Sequence, residues 1–340
     1  MFQVVTTLTA IASIWCLVVM TRDKSPWYAV AAVPMLSLFT LRVFALMHEC
    51  GHNSLFRSPS LNRLFGFVLG VFSGMPQYVW SRHHNYHHSH NGNWEKYRGP
   101  YTTRSVAEYA AMTSGQQRFY RWKCSPALAP LVGFIYLIFN PRYTWLRGSL
   151  ALSGLLVSKK IKQPNVSFSE HAAAFRTRYW QSPKEYWHMF WNNVALLSVW
   201  GVMSWLCSPA VFFPIYLLSV SLAGGVGIVL FTVQHNFEHA YASDSAGWDY
   251  DTGAINGTSF LVLPAYLNWF TINIGYHHIH HLSSAIPNYC LVDCHKRNEH
   301  LFGEVRRLKL SDVRRALSYI LWDTHTQRII SVAEYRLQTP

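Results

Sequence analysis

Four apolar runs interrupt an otherwise polar chain, at residues 4–21, 28–47, 187–207 and 210–233. A helix needs about 20 residues to cross about 30 Å of hydrocarbon. The last three runs have that length, and the first is short. The links between them, "RDKSPW" and "SP", leave room only for a tight turn, which predicts two helical hairpins. Three further apolar stretches, 64–80, 128–140 and 260–273, are shorter or broken and read as interfacial or partly inserted. The first of these carries Gly66, Gly70 and Gly74 at four-residue spacing, a ridge of small residues that allows close helix approach. "MFQVVTTLTA" has neither a basic leader nor a small-residue cleavage site, so the first run is read as a membrane helix.

This pattern divides the chain into residues 1–47 (first hairpin), 48–186, 187–233 (second hairpin) and 234–340, forming one functional domain. The 340 residues are half hydrophobic and carry a net charge of +13. Lys and Arg concentrate in the two long polar segments, while the short links hold only Arg22 and Lys24. Basic loops stay on the cytosolic side, which places both long segments and both termini there. A basic module interleaved with aromatics is missing, so nucleic acid is not the expected partner. The six cysteines include no CxxC pair and read as reduced structural thiols.

Histidine changes the picture from membrane protein to membrane-mounted chemistry. The second run ends in "LMHECGH", with His48 and His52 four apart, and the fourth ends in "VQHNFEH", with His235 and His239 four apart. Four helical residues advance about 400°, so each pair leaves one face. "SRHHNYHHSHNGN" contains His84-x-x-His87-His88, and "GYHHIHHL" repeats the set as His277-x-x-His280-His281. If the two polar segments fold over the hairpin ends, these ten imidazoles converge. Neutral imidazole suits iron, copper, zinc and nickel. A four-coordinate zinc uses four protein ligands at most, so ten nitrogens suit two metals of higher coordination number.

His83, His90 and His278 are left over and take supporting or surface roles. His171, His188, His295, His300 and His325 stand alone as non-ligands. Glu49 and Glu238 each lie inside a histidine pair, where a carboxylate orients a ligand's other ring nitrogen. A soluble-type carboxylate site using Glu49-x-x-His52 and Glu185-x-x-His188 would leave both HxxHH sets idle. The expected fold is all-α and integral to the membrane: four transmembrane helices in two hairpins, with a cytosolic helical cap holding a histidine-ligated di-metal site. Residues 141–184 and 301–340 carry no clear signal. "SDVRRALSYILWDTH" reads as an amphipathic surface helix or an ordinary packed one.

With HECGH, HNYHH and HHIHH in order, the chain resembles the membrane fatty acid desaturases over residues 28–300. "NWFTINIGYHHIHHLSSAIPNY" is similar to their acyl-lipid omega-6 (delta-12) branch. The resemblance implies a di-iron centre that uses O2 to remove two hydrogens from adjacent acyl carbons. It implies His48, His52, His84, His87, His88, His277, His280 and His281 as the catalytic metal ligands. His239 matches a further ligand at the end of the fourth helix, and His235 stands where some members have an asparagine. An unactivated methylene offers no acidic proton, so the hard chemistry belongs to the metal. Neither a fused HPGG module nor an iron–sulfur cysteine set is visible, so electrons are expected from a separate donor such as ferredoxin. The expected location is a bacterial inner membrane, with the acyl substrate drawn from its lipids.

Two other readings compete. A hydroxylase, epoxygenase, acetylenase or carotenoid oxygenase would use the same scaffold. A metal transporter or receptor would need ligands within the spans, and these hold only Arg42, expected to snorkel outward.

Overall fold

A computed structural model describes residues 1–99 and 103–338. Helix α1 (Phe2–Thr21) and helix α2 (Pro26–Gly51) form the first hairpin, with Ser25 capping α2 through the Trp27 N–H. Helix α3 (Pro59–Ser73) follows, then α4 (Gln77–His90). Helix α5 (Ala129–Phe134) runs through one π-helical stretch, Ile135–Phe139, into α6 (Asn140–Lys162). Helices α7 (Pro183–Cys207) and α8 (Pro209–His235) form the second hairpin, and α9 (His277–Leu282) carries the last histidine set.

Helix α2 is the hub, packing against α1, α3 and α8. Its inward face, including Val43, Leu46, Met47 and Cys50, shares one apolar core with Leu69, Trp80, Val220 and Ile272. Helix α5 lies directly on α8: a Cβ on Gly224 would sit 2.7 Å from the Gly133 Cα, so the two backbones meet where neither side has a side chain.

Among the described residues, three helices are long and apolar enough to cross a membrane: Phe2–Thr21, Trp27–Gly51 and Pro209–His235. The expected span at 187–207 does form a 25-residue helix, α7, but is not among them. Its start is polar, and Asn192 accepts a bond from Arg142 Nη2 at 2.7 Å. The fourth candidate is instead Ser114–Lys123 with Pro126–Lys162, bent by 57°. It absorbs the stretch 128–140, which looked too short alone because its continuation is mixed in polarity. Arg42 does not snorkel. It is 2% exposed, donates from Nε to Thr7 Oγ1 at 3.0 Å and lies 3.8 Å over the Trp269 ring.

The chain is mostly helical as expected but not all-α: among the described residues, five short strands form two small sheets. Strand β1 (Arg104–Ser105) pairs in parallel with β4 (Tyr319–Asp323), which pairs antiparallel with β5 (Arg328–Ser331). Strand β2 (Ser259–Val262) pairs in parallel with β3 (Arg306–Lys309). Within "SDVRRALSYILWDTH" only a few residues are helical, and the stretch ends as strand β4. Every residue of β4 is buried, so no alternation of polar and apolar positions advertises it. Trp322 of β4 stacks on Trp94 at 4.0 Å, which fastens the C-terminal sheet just beyond α4.

Candidate metal centre

The last turn of α2 presents His48, and the helical backbone carries on through the cap residue His52 (φ −86°, ψ 0°). The two rings therefore remain on one face, edge to face with centroids 4.7 Å apart. Asn53, at φ 57°, then turns the chain away. On α4 the pattern HHNYHH sorts by face: His84, His87 and His88 are buried and His83 is exposed. His90, at the end of α4, bonds the Tyr86 carbonyl and stacks on its ring. In α9, His277, His280 and His281 are buried toward α4, while His278 packs the other way and meets His295 Nδ1 at 3.1 Å.

Nine of the ten expected histidines come together in two groups. His48, His52, His84, His88 and His280 form one, and His87, His235, His277 and His281 the other. Within each group, candidate ligand atoms all lie within 4.8 Å of one another. Nε2 of His84 is 2.9 Å from that of His48 and 2.9 Å from that of His88, and the Nε2 atoms of His235 and His277 are 3.0 Å apart. The groups share a wall, because the His88 ring stacks on His281 at 4.1 Å.

A reciprocal division underlies this. The i,i+4 pair of α4, His84 and His88, joins the first group while His87 joins the second. The i,i+4 pair of α9, His277 and His281, joins the second while His280 joins the first. In a helix, i+4 lies 40° to one side of i and i+3 lies 60° to the other. Each HxxHH set thus straddles the boundary between the groups.

His239 is the exception. Helix α8 ends at His235, and Asn236 is already extended (φ −111°, ψ 98°). The four-residue rule therefore lapses between the two histidines. His239 is exposed, at φ 67°, and accepts from Arg328 Nη1 at 2.8 Å, outside both groups. Glu238 goes with it: it pairs with Arg306 and Arg315 and orients no histidine. Glu49 lies as expected, with Oε1 3.5 Å from His48 Nδ1. Glu185 pairs instead with Arg82, and His188 sits between Phe67 and Tyr78, so neither joins the groups.

The residues fit a metal on two counts. Burial, and then repulsion from neighbouring imidazoles, holds His84 and His280 well below the ordinary histidine range, and the same holds for His52, His87, His88, His277 and His281. Their rings are neutral and offer lone pairs. Buried nitrogens without a protein partner include His52 Nε2, both nitrogens of His87 and of His280, and His281 Nε2. Each unpaired buried polar atom costs about 1–3 kcal/mol, a penalty that a metal bond offsets. His235 is set by the backbone: its Nδ1 lies 3.2 Å from the Gly257 carbonyl, which fixes the proton there and leaves Nε2 free.

Sequence inspection missed Trp80. It stacks on His84 at 4.4 Å and donates from Nε1 to Tyr136 Oη at 2.8 Å, walling one side of the first group. Its position four residues before His84 was the available signal.

The sequence model for fatty acid desaturases matches residues 25–310. The chain is 29% identical over 336 residues to a fatty acid desaturase of Bacillus subtilis (strain 168), covering 97% of this chain and 85% of that protein. It is 25% identical to an sn-1 oleoyl-lipid 12-desaturase of Picosynechococcus sp., over 82% of this chain and 72% of the other. It is also 25% identical to an acyl-lipid omega-3 desaturase (cytochrome b5) of Arabidopsis thaliana, over 78% and 62% respectively. Apolar membrane-length helices, two all-imidazole groups, and this family match converge: the chain belongs to the fatty acid desaturase family.

Proposed function

We propose that the nine grouped histidines hold two iron ions and that the protein introduces a double bond, delta-12 (omega-6) in type, into fatty acyl chains of membrane lipids. The observation that carries this is the pair of all-imidazole groups sharing the His88–His281 wall. The oleoyl-lipid 12-desaturase relatives support the regiochemistry and the lipid-borne substrate.

Iron with O2 supplies the oxidising power to take hydrogen atoms from an unactivated methylene, which no side chain possesses. The protein's own share is orientation and exclusion of water. The Gly257 carbonyl sets the tautomer of His235 through Nδ1, and the Glu49 carboxylate lies 3.5 Å from His48 Nδ1. Trp80 and Phe231, packed against His84 and His87, keep the site dry on the membrane side. Holding one carbon–carbon bond beside the oxidant is worth about 7–11 kcal/mol.

A separate acidic one-electron carrier such as a ferredoxin is the proposed donor, drawn by the basic polar segments. The proposed setting is a bacterial inner membrane, with both histidine groups and both termini on the cytosolic side.

Expression in a host of defined fatty acid content, followed by lipid mass spectrometry, tests the function. Loss of two hydrogens per modified chain is expected. Gain of one oxygen would instead assign a hydroxylase or epoxygenase, and a triple bond located by fragmentation of the modified chain an acetylenase. Metal flux into liposomes without O2 uptake would assign a transporter.

A further inference from the structure

Glu49 is 1% exposed, and among the described residues its carboxylate meets no Lys or Arg. The His48 ring lies beside it, with Nδ1 3.5 Å from Oε1. A buried carboxylate in that position is stable only if well hydrogen-bonded and if positive charge is supplied nearby. The hydrogen bonds come from outside α2. Glu49 Oε2 accepts from Ser54 Oγ at 3.1 Å, from the Asn288 backbone N–H at 2.9 Å and from Asn288 Nδ2 at 3.4 Å. Asn288 follows α9 and is itself 1% exposed.

The Asn288 side chain is fixed in turn by α1. Gln3 Nε2 donates to Asn288 Oδ1 at 2.8 Å, and Asn288 Nδ2 donates to Gln3 Oε1 at 3.3 Å, an amide-to-amide pair. Asn273 Nδ2 donates to the Asn288 carbonyl at 3.1 Å. One turn along α1, Thr7 Oγ1 donates to the Gln3 carbonyl at 2.6 Å and accepts from Arg42 Nε, whose guanidinium also bonds the Trp269 carbonyl. The first turns of an apolar membrane helix thus carry a polar edge that joins α2 to the segments flanking α9.

We propose that Gln3 and Asn288 are positioning residues for the first histidine group. Their amide pair sets the Glu49 carboxylate, which orients His48 through Nδ1 and directs Nε2 at a metal ion. The inference rests on the metal-holding reading above. It is selective, because neither Gln3 nor Asn288 bonds any of His87, His235, His277 and His281. Changing a partner that orients a ligand from behind typically lowers metal affinity about 10- to 100-fold.

The test is titration of the purified full chain in detergent with Co2+, read by equilibrium dialysis and by the ligand-field absorption bands. The wild type is expected to take two equivalents. In Asn288→Ala and in Gln3→Leu, one equivalent is expected to weaken about 10- to 100-fold with altered bands while the other is unchanged. The double variant is expected to be no worse than Asn288→Ala alone, since both act through one carboxylate. Affinities within about threefold of wild type in both variants would overturn the proposal, as would equal weakening of both equivalents, the mark of general loosening. A wild type that takes up no Co2+ overturns the metal reading as well, whereas two tight wild-type sites with unaffected variants overturn the clasp alone.

Discussion

Imidazole binds a metal only when neutral, and burial keeps these rings neutral. In the folded chain, His52, His84, His87, His88, His277, His280 and His281 hold their pKa well below 6.5 through burial first and neighbouring rings second. The same side chains in the unfolded chain take up protons as pH falls through about 6.5. The unfolded state then binds more protons, so the metal-free protein loses stability below that pH, by up to about 1.4 kcal/mol per pH unit for each such histidine. Melting temperatures in metal-free buffer should therefore fall steeply from pH 6.5 downward and stay level above it; a level acid limb would contradict the burial. Among single residues, His235 and His239 separate most sharply. His235→Ala is expected to cost one of two bound metal equivalents, and His239→Ala neither, as read by metal analysis of purified protein. Equal losses would return His239 to the site.

At the scale of elements, helix ends decide which histidines meet. The i,i+4 rule holds from His48 to His52 because the cap stays helical, and fails from His235 to His239 because Asn236 is extended. Both pairs look alike in sequence, since spacing is visible there and the terminating residue's dihedrals are not. Contact between elements is equally specific. Gly133 and Gly224 let α5 lie on α8. Gly133→Leu is expected to force the helices apart, costing about 1–3 kcal/mol or more. Thermal unfolding in detergent measures this; an unchanged melting temperature would show that the backbones tolerate separation.

Across the whole molecule, the C-terminal sheet reaches back to the histidine helices. Trp322 on β4 packs on Trp94, and Asn236, next to His235, donates to the Tyr319 carbonyl at 2.9 Å. Trp322→Ala is expected to cost about 3–5 kcal/mol and to loosen the second histidine group before the first. Protease sensitivity of residues 319–331 against metal retention distinguishes this from uniform loss.

The convergence of the histidines and the membrane-length apolar helices were legible in the chain itself, because an apolar run's length and a histidine's spacing are local quantities. Nine of the ten histidines met as their spacing implied, and the family resemblance followed from the same residues. The division into groups of five and four, the exclusion of His239, the burial of Arg42 against Trp269 and the sheet built from residues 104–105 and 319–331 were settled only by tertiary structure. Each depends on where a helix stops or on which distant segment covers it. Those choices are made by packing between elements far apart in the chain, and no local pattern encodes them.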